Sequence, residues 1–206
     1  MTQDPRFFTH DWRMTIPGPG TIKFVLSPIT PASLSSFVTI YNEPATPEEH
    51  ARLVASSIKR RVEVKTTGKL LVAMLYMATD VHRMEPLGHG AIARVTPDGT
   101  VPSVGNIGIK LLPAARGCGA GTAFLRALLR LSCDVVVDQV EIATMHHNTA
   151  MRAVAKKVGL NETLEVKYSS GGEGEIIADV IYFNIDREAY RNVEMELLFG
   201  DEIIWD

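Results

Sequence analysis

The chain has 206 residues, 24 acidic and 21 basic side chains, a formal net charge of −3 and a pI of about 6.1. That balance excludes an electrostatic footprint for nucleic acid or an anionic membrane, and 46% hydrophobic with 22% charged residues suits one soluble globular domain over 1–206. Two cysteines, Cys118 and Cys133, make neither a metal cluster nor a secreted disulfide framework; no apolar run nears the ~20 residues of a membrane span. The charged opening MTQDPRFFTHDWRM is unlike a signal peptide, so the expected location is the cytoplasm.

Residues 1–20 read as irregular, closed by PGPG, and TIKFVLSPI (21–29) as a β-branched strand ended by proline. PASLSSFVTIYN (31–42) predicts a helix with Pro31 at its start and Leu34, Phe37, Val38 and Tyr41 on one face. In TPEEHARLVASSIKRR (46–61), Thr46 caps, Pro47 takes the first helical position and Glu49 completes a capping box. KLLVAMLYMAT (69–79) is apolar on both sides, as a central strand requires. LGHGAIARVTPDGT (87–100) and VPSVGNIGIKLL (101–112) form a hairpin around a DG turn.

From 118 the period becomes helical, with Phe124, Leu125, Leu128 and Leu131 on one side. QVEIATM (139–145) is a short strand. NTAMRAVAKKVGL (148–160) is a helix capped by Asn148 and stopped at Gly159. LEVKYSS (164–170) and EIIADVIYFNI (175–185) make a closing hairpin around GGEG, and the last twenty residues carry no readable pattern. The order β-α-α-β-β-β-α-β-α-β-β predicts an α/β domain with a mixed sheet, its core at about 21–186 with an extension at each end.

The chemistry concentrates in LLPAARGCGAGTAFLRALLR (111–130). Gly117, Gly119 and Gly121 are spaced by two, which departs from the dinucleotide fingerprint: Thr122 fills the last required glycine, and the next strand ends without a carboxylate. No Gly-Lys-Ser/Thr follows, so a nucleoside triphosphate loop is also excluded. A helix beginning near Gly119 has no Ser, Thr, Asp or Asn before it. Its first amides lack internal partners, and the helix dipole makes an anion their favoured guest, with Arg116 adding positive charge at the rim.

Arg116, Gly117, Cys118, Gly119, Ala120 and Gly121 resemble the acyl-CoA pyrophosphate loop of the GNAT superfamily of N-acyltransferases, written Arg/Gln-x-x-Gly-x-Gly/Ala. NTAMRAVAKKVGL resembles its second motif, and the element order matches across about 21–186. The resemblance implies the GNAT-like acyl-CoA N-acyltransferase fold, acetyl-CoA as co-substrate, no metal, and a small-molecule or peptide amine acceptor, in a monomer or homodimer without nucleic acid or membrane partners. It assigns pyrophosphate to the loop, the pantetheine arm to a bulged strand at Ile109, Lys110, Leu111 and Leu112, and a coenzyme-facing role to Asn148. A plain helix cap is the other reading of Asn148.

Ala155 stands where the family often has a tyrosine acid, and Asn106 where a subgroup has a glutamate. The missing tyrosine matches the subgroup similar to ribosomal-protein N-terminal and small-amine acetyltransferases. The remaining proton-transfer candidates are His89, between glycines on a predicted strand, and Glu141 on the strand QVEIATM. The adjacent His146 and His147 point to opposite sides and make no metal site. The two departures leave a non-catalytic acyl-CoA-binding sensor or assembly module as the alternative. The family shapes its acceptor site with the loops matching 41–46 and 169–175; Glu43, Glu173 and Glu175 there suggest a cationic amine.

Overall fold

A computed structural model describes residues 4–78, 84–96, 102–134, 137–169, 176–185 and 187–205. In chain order these form α1 (Arg6–Thr9), β1 (His10–Pro17), β2 (Lys23–Pro28), α2 (Pro31–Asn42), α3 (Pro47–Thr67), β3 (Leu70–Ala78), β4 (Met84–Arg94) and β5 (Val104–Leu111). There follow α4 (Ala120–Asp134), β6 (Gln139–Glu141), β7 (Ala143–Met145), α5 (Thr149–Lys157), β8 (Asn161–Ser169), β9 (Ile176–Asn184) and β10 (Glu196–Glu202). A seven-stranded sheet runs β10-β1-β2-β3-β4-β5-β6, antiparallel except for β5 with β6, and a second sheet runs β7-β9-β8. This is the mixed α/β architecture the element order predicts.

Local chemistry sets the helix ends. Thr30 accepts from the Ser33 amide and Pro31 opens α2. Thr46 Oγ1 accepts from the Glu49 amide at 3.1 Å, but Glu49 reaches back to the Ala45 amide, one residue outside the predicted box. α3 runs six residues past the predicted end and stops at Gly68, φ +61.

The large sheet separates two apolar layers by the period-2 alternation of its strands. Leu71, Ala73 and Leu75 of β3 join the cluster holding Phe124, Leu125 and Leu128 of α4, while Val72, Met74 and Tyr76 join Leu34, Phe37 and Val38 of α2. α4 lies so close that a Cβ on Gly90 would sit 2.7 Å from Leu128 Cδ1 and 2.8 Å from Phe124 Cζ. Gly90→Val is therefore expected to lower stability by about 2–3 kcal/mol through overpacking, read from urea unfolding.

Three stretches differ from expectation. The supposedly irregular opening contains β1, whose Trp12, Met14 and Ile16 are buried at alternate positions, and the unread tail supplies β10, its antiparallel partner. The strand expected over 139–145 breaks at the fully buried Ile142: β6 stays beside β5, and β7 pairs with β9. The turns DG and GGEG, with Glu173 and Glu175, lie outside the described residues. Among the described residues no helix is long and apolar enough to cross a membrane.

Candidate coenzyme cleft and acceptor side

The break at Ile142 opens the site. β5 pairs with β4 over Gly105–Leu111 but with β6 only over Val104–Asn106, which leaves its far half as a free edge. Leu112 donates its amide to Leu87 O at 2.8 Å, so by alternation Lys110 and Gly108 also turn toward β4. The amides of Ile109 and Leu111 then face the open side. The β4–β5 ladder has no register shift, so the bulge expected at Ile109–Leu112 is absent. The irregularity lies one ladder away, between Leu75 and Tyr76 of β3, where Pro86 interrupts amide donation in β4.

After β5 the chain makes a 3-10 turn at Pro113–Ala115, and Gly117 (φ +81) and Gly119 (φ +85) carry it into α4. The first helical bond is Ala123 N to Gly119 O, 3.1 Å. The amides of Ala120, Gly121 and Thr122 find no acceptor among the described residues, as the missing cap predicts. A Cβ on Gly121 would lie 3.2 Å from Val154 and 3.3 Å from Leu111, so this glycine lets α5 and β5 close around the helix start.

A cleft of about 660 Å³ runs between these parts. Nine of the eleven predicted coenzyme positions line it: Ile109, Lys110, Leu111, Leu112, Arg116, Gly117, Gly119, Gly121 and Asn148. The other two do not. The Cys118 thiol turns inward to donate to Ala115 O, and Ala120 is buried beneath the loop. Asn148 lines the cleft and is also the predicted helix cap: it accepts from the Met151 amide at 3.1 Å and donates to Thr144 Oγ1 at 3.0 Å. Met151, Val154 and Lys157 of α5 complete that wall.

The proton-transfer candidates lie apart. His89 is not in the cleft lining; it sits behind Lys110, its cross-strand partner, only 8% exposed. Its ring meets Phe37 and Tyr41 edge-on with centroids 5.4 and 5.2 Å away, and neither ring nitrogen has a hydrogen-bond partner. Burial, aided by the charges of Lys110 and Arg61, pushes the imidazole down to about 4, so it is neutral at physiological pH. Glu141, half-buried, pairs in register with Asn106, four residues along β5 from Lys110 and so about 13 Å away along the strand. Ala155 is fully buried, so this position of α5 offers no acid.

Lys110 also binds the helix end across the cleft mouth. Its Nζ lies 2.6 Å from Glu43 Oε1, an exposed pair that holds the Glu43 carboxyl below its usual range, and 3.3 Å from Tyr41 O. Sequence reading missed this pair and the role of Phe37, because nothing local links residues 67 apart. His146 and His147 are exposed, and no group of three or more His, Cys, Asp or Glu among the described residues is placed to hold a metal.

Residues 24–161 match the family described as acetyltransferase (GNAT) domain. The chain belongs to the GNAT acetyltransferases. No curated protein matches this GNAT sequence. Among solved structures, spermidine N-acetyltransferase from Vibrio cholerae in complex with CoA and spermine is similar at 11% identity and TM-score 0.60, covering 82% of this chain and 98% of that one. Mycobacterium smegmatis RimJ in complex with CoA-disulfide is similar at 16% identity and TM-score 0.60, covering 93% and 90%. RimL, a ribosomal L7/L12 alpha-N-protein acetyltransferase solved with coenzyme A, is similar at 15% identity and TM-score 0.56, covering 82% and 96%. These likenesses establish the GNAT fold, and the family match makes CoA-dependent acetyl transfer this chain's chemistry.

Proposed function

We propose that this GNAT protein transfers the acetyl group of acetyl-CoA to a primary amine, with both substrates bound at once. One observation carries the reading: two sets of unengaged backbone amides, at Ile109 and Leu111 and at Gly121 and Thr122, meet along one cleft. The helix-start amides suit the pyrophosphate, with Arg116 at the rim and Lys157 on the opposite wall adding positive charge. The free edge of β5 suits the amide-bearing pantetheine arm, paired as a further strand. An outward amide there stabilises the oxyanion as the thioester carbonyl is attacked.

In the reaction the amine nitrogen bonds to the acetyl carbon, the carbon–sulfur bond breaks, and the nitrogen loses a proton. His89 is the proposed relay for that proton, with Glu141 the weaker candidate. Under its apolar cover the imidazole is held down to about 4 and is a weak base, so the role requires water or the amine to reach the ring. With alanine at 155, the thiolate of CoA leaves without a proton from that position. Glu43 does not by itself mark a cationic acceptor, since Lys110 already compensates its charge.

Protein mixed with acetyl-CoA and a panel of small amines and peptide N-termini should release free thiol, and calorimetry should show coenzyme binding. No coenzyme binding would sink the assignment. Ala155 and Asn106 favour the second reading, a module that binds acyl-CoA without turnover; binding with no thiol release across the panel would establish it. His89→Gln is expected to lower kcat about 100-fold with the acetyl-CoA Kd unchanged, and Glu141→Gln to change kcat less than threefold, both read by steady-state thiol release.

A further inference from the structure

His89 is a base without access. Tyr41 forms its outer wall: the tyrosine ring stacks on Phe37 at 5.4 Å, meets the imidazole edge-on, and is itself half exposed. Tyr41 belongs to the last turn of α2, and Glu43 is the residue that caps the end of that helix. Among the described residues Glu43 is the one non-glycine with positive φ, +51, a conformation that glycine adopts more readily. Its carboxylate serves a partner there. The ammonium of Lys110 donates both to Glu43 Oε1 and to the carbonyl of Tyr41, so one side chain ties the helix end to β5 in front of the histidine.

The tie is weak by construction. Both partners are solvent-exposed, and such pairs add little to stability. It is also replaceable, because any ammonium reaching the carboxylate and carbonyl at the C-terminus of α2 restores the charge pairing that Lys110 gives up.

We infer that Tyr41 to Glu43 is a lid over His89, latched by Lys110, and that the amine acceptor opens it by taking the place of Lys110 against Glu43. The acceptor's part rests on the proposed acetyl transfer; the lid itself does not. Lys110 acts here as a positioning residue, through Tyr41. The charged and titratable groups facing His89 are Lys110 from β5, Arg61 from α3 and Tyr41 from α2.

The test is carbethoxylation of the full chain by diethyl pyrocarbonate at pH 7, with His89 followed by peptide mass mapping. Lys110→Met and Glu43→Gln should each raise its modification rate about fivefold, and Tyr41→Ala further, while the exposed His146 and His147 react at unchanged rates. Glu202→Gln, which breaks the Lys65 ion pair elsewhere, should change nothing. An unaltered His89 rate in both Lys110→Met and Glu43→Gln overturns the lid. If these variants unmask His89 but no amine yields free thiol, the lid stands and the acetyl-transfer reading fails. If transfer proceeds and the labelling is unaltered, only the lid fails.

Discussion

Gly119→Pro is expected to abolish measurable acetyl-CoA binding in a protein that still folds. Gly119 sits at φ +85, and proline is held near −65°. Even a bare Cβ would fall 2.7 Å from Pro19 Cγ and 2.9 Å from Pro19 Cδ, so the loop must shift away and carry the helix-start amides with it. Each hydrogen bond to a charged phosphate is worth about 1.5–3 kcal/mol, and losing two weakens binding at least about 100-fold. The helix stays docked because Phe124, Leu125 and Leu128 lie in the core beyond the loop. Calorimetric titration with acetyl-CoA gives the Kd, and far-UV circular dichroism confirms the fold. Affinity kept within threefold of the parent protein would refute the loop as a phosphate cradle.

The second large effect is on acid stability. His89 is held down to about 4 in the folded chain, against about 6.5 when unfolded, so its uncharged form is the one the fold tolerates. Between these values the unfolded state takes up a proton that the folded state refuses. Stability therefore falls as pH drops from 6.5 toward 4, by about 2–3 kcal/mol at the lower end, and is unaffected by this group above 7. Urea unfolding at pH 7.5 and 4.5 measures the loss, which His89→Gln should reduce by most of that amount. An equal acid loss in both proteins would mean that the imidazole titrates normally.

The glycine loop and the cleft it lines were legible because their signals are local. Glycines spaced by two, a helix start without a cap and Asn148 three residues before the amide it accepts all act within a few positions, and the chain folds there as those rules require. The surroundings of His89 were not. His89 reads as a strand residue between glycines, and only the folded sheet places it beside Lys110, under Tyr41 and within the field of Arg61. The same limit explains β10: ELLFGDE has a glycine and three acids in seven residues, a poor strand by propensity, and it becomes one only by pairing with β1. The split of 139–145 was hidden for a related reason, since seven strand-forming residues do not reveal that two different sheets will share them.

The pairing of β1 with β10 also governs when the sheet can be finished. Trp12 opposes Phe199 and Met14 opposes Leu197, contacts some 185 residues apart in the chain. A nascent chain can assemble β2 to β6 around α4 while it is still being made, yet β1 keeps an unpaired edge until residues 196–202 have emerged. Such long-range closure is the slow kind, and the waiting edge is open to mispairing with another chain. The last strand thus sets the interval during which this protein is most exposed to aggregation at birth.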